Sequence, residues 1–267
     1  MIELSGVEFA YPSGVRALRG VDLALERGCT CLLGHNGAGK TTLFRHLNGL
    51  LRPTSGIVKI AGADTRTTRP AALARSVGLA FQNPSAQLFK NTVVEEVRFG
   101  AENGRRDAAG AAEMTDWAIR TMGLKDVVDR NPYDVLLGMR KRVAVASVIA
   151  MDTPAVVLDE PTGGQDAEGV TLLANLVEAL LNRNKLVIVA THDIEFARRW
   201  ADRIVLMAEG RVLQDGPPED VFGDTEALRR ASVEAPAVTR LAAALGAERT
   251  ILDADGLVDW LQGAAGS

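Results

Sequence analysis

The sequence predicts an α/β fold, a mainly parallel sheet covered on both faces, and three observations predict it. Short apolar runs at residues 77–81, 155–158, 186–190 and 204–207 have the near-continuous hydrophobicity of strands buried on both sides. Between two of them, residues 166–182 set Leu172, Leu173, Leu176, Val177, Leu180 and Leu181 on one helical stripe, so strand and helix alternate. Hydrophobic residues make up 47% of 267, enough to fill a core and too many for a disordered chain.

The elements follow in order. Ile2, Leu4, Val7 and Phe9 alternate with polar residues, which predicts an N-terminal region of short antiparallel strands with turns at Pro12-Ser13-Gly14 and at Arg19-Gly20. Residues 29–33 form a compact apolar strand. A Gly-rich turn follows, then a helix over residues 43–50 ended by the stop and turn signals Gly49 and Pro53. Residues 84–150 are mostly helical in pattern, with a polar break at residues 102–107. Asp166 is placed to cap the helix after it. Glu209-Gly210 reads as a hairpin turn. After Gly216-Pro217-Pro218 the chain becomes Ala-, Leu- and Arg-rich, which sets a main domain at 1–216 and a small C-terminal extension at 217–267.

Composition excludes several function classes. Thirty Lys and Arg against 34 Asp and Glu give a net charge of −4, which argues against a general nucleic-acid binder. Aromatics at 4% do not furnish a stacking platform for single strands. Two cysteines, Cys29 and Cys31, exclude a disulfide framework, and without accompanying ligands they read as small residues of a buried strand. The longest apolar runs, such as 143–151, fall short of the roughly 20 residues that span a bilayer. The first residues carry acids and no apolar signal-peptide core. The expected location is therefore cytoplasmic, with any membrane association through a protein partner.

Gly34-His35-Asn36-Gly37-Ala38-Gly39-Lys40-Thr41 fits G-x-x-x-x-G-K-[ST] between a strand and a helix. Glycines let backbone N–H groups close around phosphate oxygens, and the helix N-terminus adds its positive dipole end. Asn36, Gly37, Gly39 and Thr42 belong to the same cradle; Lys40 would reach the β- and γ-phosphates, and Thr41 would offer its hydroxyl to Mg²⁺. A second carboxylate element stands at the end of the 155–158 strand. Asp159 would hold Mg²⁺ through water, and Glu160 would polarise the attacking water as general base. Two surface acids at a strand end is the competing reading, and the intact P-loop upstream disfavours it.

The P-loop, Gln82, the run Asp159-Glu160-Pro161-Thr162 and His192 stand in the order and spacing of ABC-type ATPase domains, which the chain resembles over about residues 1–215. The resemblance implies a P-loop NTPase core with an N-terminal antiparallel β subdomain, a helical subdomain at about 84–150 and the C-terminal extension. It implies that Tyr11 stacks on adenine, against the alternative of a core tyrosine. It also implies that Gln82 completes the Mg²⁺ shell and that His192 contacts the γ-phosphate. Gly164-Gln165-Asp166 falls where the family has its D-loop. Two ATPase domains would sandwich two ATP molecules head to tail. One motif departs: where the family has L-S-G-G-Q, this chain has Val135-Leu136-Leu137-Gly138-Met139, so only Gly138 is left to face the partner's ATP.

Residues 81–89, with Gln82, Gln87 and Phe89, are similar to the corresponding loop of energy-coupling-factor ATPases, which drive vitamin and metal-ion uptake; the tail resembles their dimerisation extension. That resemblance implies an ATP-hydrolysing importer subunit at the cytoplasmic face of the membrane. Its partners would be an L-S-G-G-Q-bearing paralogue or a second copy, a transmembrane subunit docked near Gln82 and Phe89, and indirectly a substrate-binding membrane subunit. A soluble ABC ATPase of DNA repair or translation is disfavoured: only 95 residues separate Lys40 from Val135, and one chain of 267 cannot hold two such domains. A non-hydrolysing regulatory subunit is favoured by the divergent motif and opposed by Glu160 and His192. Plainer readings cover the rest. His46 is structural. Trp117, Trp200 and Trp260 are core or interface anchors. Arg105-Arg106 is a solvated loop, and Arg140-Lys141-Arg142 is helix surface near the partner's nucleotide.

Overall fold

The computed structural model describes residues 1–104 and 107–265. Strands β1 (Ile2–Ala10) and β2 (Arg16–Leu25) form a hairpin through the turn at Pro12–Gly14, followed by β3 (Gly28–Leu33). Helix α1 (Lys40–Leu47) starts directly on the lysine of the phosphate motif, three residues earlier than its apolar pattern indicates. It stops before Gly49, which takes the left-handed φ of +74°. β4 (Ser55–Ile60), β5 (Ala63–Asp64), the short α2 (Pro70–Leu73) and β6 (Val77–Ala80) lead into the helical region. There α3 (Val93–Glu102) opens with a full capping box of Thr92 and Glu95, and α4 (Ala108–Thr121) is capped by Asp107. α5 (Leu137–Ala150) returns to β7 (Ala155–Asp159). Then α6 (Ala167–Asn182), capped by Asp166, leads to β8 (Leu186–Ala190), α7 (Ile194–Trp200) and β9 (Arg203–Ala208). The expected turn at Glu209–Gly210 joins β9 to β10 (Arg211–Gly216). The remainder is helical: α8 (Pro218–Gly223), α9 (Thr225–Ala231), α10 (Ala237–Ala244) and α11 (Ala254–Ala265).

The N-terminal strands form an antiparallel sheet in the order β2-β1-β4-β5. Here one expectation fails. Arg19–Gly20 is not a turn but a bulge inside β2. Val7 pairs with Val21 and Glu8 with Arg19, so Gly20 is the extra residue, with φ +81°. An isolated glycine in an alternating pattern signals a bulge as well as a turn, and tertiary pairing decides between them.

The second sheet runs β10-β9-β3-β8-β7-β6, parallel except for the β10 edge. Successive residues of its strands feed two different cores, as a period of two requires. Leu32, Val157, Ile188 and Val205 face the antiparallel sheet and Phe44 of α1. Cys31, Val156, Val187 and Ile204 face the helical region, with Val143 and Leu176. Cys29 and Cys31 are both free thiols on that buried side, and the Cys29 thiol together with burial pushes the Cys31 thiol up. The extension joins the same core through Val221, Phe222, Leu228 and Ala231. Trp117 and Trp200 pack half-buried against it, Trp117 also beneath the Arg183 guanidinium at 4.4 Å. Trp260 is half-buried on α11.

The basic run at the start of α5 is not free surface. Arg140 donates to the carbonyls of Pro132 (3.1 Å) and Tyr133 (2.6 Å), and Arg142 is 6% exposed. Lys141 turns inward to its own chain's Glu160. Two main-chain segments supply the acceptors, the loop before the helix for Arg140 and the turn after β7 for Lys141, where the sequence shows only a charge run. The reading of Arg105-Arg106 lies outside the described residues.

α3 crosses α5 at Gly100, where a Cβ would run into the Ser147 carbonyl oxygen. Elsewhere in a helix, Gly→Ala gains about 1 kcal/mol. Here the backbone clash reverses the sign, and Gly100→Ala is expected to destabilise by roughly 1–3 kcal/mol. Thermal unfolding of the variant checks this; an unchanged or raised Tm contradicts the close crossing.

Candidate functional site

Parallel strands end on one edge of the sheet, and that edge collects the sequence-predicted residues. The phosphate loop leaves β3, Gln82 follows β6, Asp159 ends β7 and Glu160 follows it, and His192 follows β8. This is where open α/β sheets bind ligands, outside the carboxyl ends of their strands. Two adjoining cavities occupy the edge. One, about 380 Å³, is lined by Tyr11, Asn36, Gly37, Gly39, Lys40, Thr41, Thr42, Gln82, Asp159 and Glu160. The other, about 520 Å³, shares Asn36, Gln82 and Glu160 and adds Lys141, Gly163 and His192. Gly138 alone of the predicted set lies outside both.

The loop is glycine where backbone packs on backbone. A Cβ at Gly34 would meet the Met207 carbonyl oxygen, and one at Gly39 (φ +107°) would lie 2.7 Å from that of Ala17. Lys40, 7% exposed, donates from Nζ to the Gly34 and His35 carbonyls (2.5 and 3.3 Å). Burial pushes its ammonium pKa down, and the charges of Glu160 and Asp159 oppose that. Tyr11 is tied into the first turn of α1 by a hydrogen bond between its hydroxyl and that of Thr42 (3.0 Å). Its ring stands edge-on to Phe9 (centroids 4.9 Å apart), and Phe9 stands edge-on to His46 at the same spacing. His46 is fully buried on the Thr42 carbonyl (2.8 Å), a structural histidine as expected.

Thr41 Oγ1 donates to Asp159 Oδ2 at 2.8 Å, so the two hydroxyl and carboxylate oxygens assigned to Mg²⁺ lie side by side. Asp159 Oδ1 is buried with no hydrogen-bond partner among the described residues. A hard-oxygen set of hydroxyl, carboxylate and the nearby Gln82 amide, with one orphaned carboxylate oxygen, fits Mg²⁺. Glu160, 7% exposed, adopts the left-handed φ of +51°. Its N–H donates to Ala190 O (2.9 Å), and Oε2 accepts from His192 Nδ1 (2.7 Å), whose ring is 73% exposed. Non-glycine residues held in this region cluster at functional sites.

The departing motif begins α5. Leu136 stands at the N-cap without a side-chain cap, 82% exposed, and Leu137 is 56% exposed. Gly138 is held by its own chain: a Cβ there would lie 2.6 Å from Gly164 O, and its carbonyl accepts from Gln165 Nε2 (3.0 Å). That packing requires a glycine whatever else the position does.

Three contributions escaped the sequence reading. Gln87 bridges Phe81 N (3.1 Å) to the Ala144 carbonyl of α5 (2.8 Å), tying the Gln82 loop to the helical region. Its place in the loop at residues 81–89 was the signal in the sequence. The buried Glu96 accepts the N–H groups of Phe89 and Lys90, and Tyr133 donates its hydroxyl to Leu88 O. The C-terminal extension also walls the larger cavity through Ser232, Val233 and Glu234, and the Ala231 carbonyl accepts from the phosphate loop's His35 N (3.0 Å). Nothing in the tail's sequence marks that contact.

Asp159 is electrostatically costly. A hydrogen bond to a charged group contributes about 1.5–3 kcal/mol, and an unpaired buried oxygen costs about as much. Burial raises its pKa above 3.8, and Glu160 raises it further against the Thr41 hydrogen bond. With the folded-state pKa raised, the folded chain binds the proton more tightly than the unfolded one, so this group's contribution falls as pH rises through that range. Asp159→Asn is therefore expected to raise the Tm of the nucleotide-free chain at pH 7, by an amount that shrinks towards pH 4. A gain that grows on acidification contradicts this.

The ABC transporter family model matches residues 18–163. The energy-coupling factor transporter ATP-binding protein EcfA of Methanocaldococcus jannaschii is 36% identical over 244 residues, 90% of this chain and 88% of that protein. That of Carboxydothermus hydrogenoformans is 37% identical over 241 residues, 90% of this chain and 89% of its own. The cbiO1 structure of Clostridium perfringens, part of the ABC transporter complex cbiONQ, superposes with a TM-score of 0.71 at 34% identity, covering 85% of this chain and 92% of that one. A dimeric ATP-binding cassette in a post-hydrolysis state, bound to ADP and Pi, superposes at 0.72 with 25% identity, covering 81% and 98%. With the family model over more than half of its length and relatives above 30% identity along most of it, the chain belongs to the ABC transporter family and is one of its ATPases.

Proposed function

We propose that this chain is an ATP-hydrolysing subunit of an energy-coupling-factor importer for a vitamin or transition-metal ion. It would sit peripherally at the cytoplasmic face of the membrane, paired with a second ATPase carrying L-S-G-G-Q. The single observation that carries this reading is an asymmetry within one chain. Lys40, Thr41, Gln82, Asp159, Glu160 and His192 line two adjoining cavities, while the motif the chain would offer a partner presents two exposed leucines. The EcfA-named relatives and the cbiO1 likeness support the importer class.

ATP would lie with its phosphates in the Gly34–Thr41 loop, its adenine near Tyr11, and Mg²⁺ on Thr41, Asp159 and Gln82. The ion would neutralise the phosphate oxygens and polarise the γ-phosphorus. Lys40 exchanges its loop carbonyls for phosphate oxygens. Glu160 holds and deprotonates the attacking water, and the exposed His192 ring turns from Oε2 towards the γ-phosphate. Across the dimer, the partner's signature serine would complete this site. In the partner's own site, Leu136 offers no donor, a loss worth about 2–4 kcal/mol of transition-state stabilisation where the contact is catalytic. The start of α5 has no side-chain cap, so its N–H groups and Gly138 would still be free to face that nucleotide.

A membrane subunit would dock beside Phe89, which is 59% exposed and edge-on to the half-exposed Phe99. Both rings and Gln87 border a cavity of about 400 Å³. The Gln87, Tyr133 and Glu96 contacts link that surface to the catalytic edge.

Two outcomes test this reading. Glu160→Gln should keep ATP binding and slow turnover by about two to four orders of magnitude; wild-type turnover removes Glu160 as the base. Lys40→Ala should harm transport more than the matching substitution in the partner ATPase, and equal losses contradict the asymmetric pairing.

A further inference from the structure

Glu160 needs more than its side-chain partner to act. Its backbone is in the left-handed region at φ +51°, and no glycine relieves it. The Ala190 carbonyl holds its N–H on the sheet side. On the other side its carbonyl oxygen accepts from Lys141 Nζ at 3.0 Å. Lys141 reaches this point from α5, passes beneath the turn after β7, where a Cβ at Gly163 would lie 3.2 Å from Nζ, and emerges in the cavity beside Gln82, Glu160 and His192.

We propose that Lys141 is a positioning residue for hydrolysis in its own chain: its ammonium clamps the Glu160 peptide in the left-handed conformation that aims the carboxylate at the attacking water. This rests on Glu160 being the base. Two observations favour a catalytic over a merely structural tie. The half-buried ammonium lies close enough to Glu160 and Asp159 for both charges to support it against the burial that pushes its pKa down. The atom it holds is the main chain of the residue that bears the base, so a release of the clamp moves the carboxylate directly. A methionine at 141 keeps the stem and removes the donor.

The experiment uses the complex captured through a tag on this chain, with this chain's turnover taken as the part that Lys40→Ala removes. Lys141→Met should lower kcat for that part about tenfold or more while KM for ATP changes less than about threefold, and Lys141→Arg should restore at least about half of it. In a Glu160→Gln background, Lys141→Met should add less than about a twofold loss, because the two act through one group. A kcat within about twofold of wild type, parallel changes in kcat and KM, or full additivity in the double variant overturns the proposal. Should Lys141→Met fail to assemble, Lys141→Gln, with a shorter reach to the carbonyl, carries the same reading in kcat. A Glu160→Gln complex that turns over normally overturns the base and the clamp together. Wild-type kcat in Lys141→Met beside an inactive Glu160→Gln overturns the clamp alone.

Discussion

The structure depends on the parallel register of β6, β7, β8, β3 and β9. Parallel pairing requires each strand to return by a crossover, so every carboxyl end lies on the same edge. Four of those ends deliver Gln82, Asp159 with Glu160, His192 and the phosphate loop. The Thr41–Asp159 hydrogen bond then joins residues 118 positions apart. The edge accepts unfavourable features that a stability-driven fold would avoid: a buried lysine, a carboxylate with an orphaned oxygen and a strained Glu160. They persist because the close-packed apolar cores on both faces of the sheet over-determine the backbone around them.

Polar contacts tie α5 both to the loop before it and to that edge. Gln87 binds its Ala144 carbonyl, Arg140 ties it to the loop before it, and Lys141 reaches Glu160. A shift of this one helix would be felt both at the exposed Phe89 surface and at Glu160. The C-terminal extension makes a separate connection through Ala231 to the Gly34–Thr41 loop, so it borders the larger cavity at that edge as well as extending the core.

Much of this was legible in the sequence because the informative features are local. Apolar runs announce buried strands, Asp166 announces a helix start, and the glycine-rich loop with its lysine announces a phosphate cradle. What was not legible depends on long-range pairing. Gly20 is a bulge only because β1 sits opposite with one residue fewer. Arg140, Lys141 and Arg142 form a charge run in one dimension, but Arg140 pairs with carbonyls of a loop, Lys141 with the carbonyl after a distant strand, and Arg142 is buried. Gly138 matches a motif position, yet the packing of Gly164 against it gives a second reason for the residue that no motif shows.

The most direct test of the account is to capture this chain from its native membranes in mild detergent and identify by mass the proteins that co-purify. The account predicts an integral membrane subunit together with a second ATPase whose sequence carries an intact L-S-G-G-Q. A membrane subunit with only further copies of this chain would contradict the asymmetric pairing, and the absence of any membrane protein would contradict the transport role.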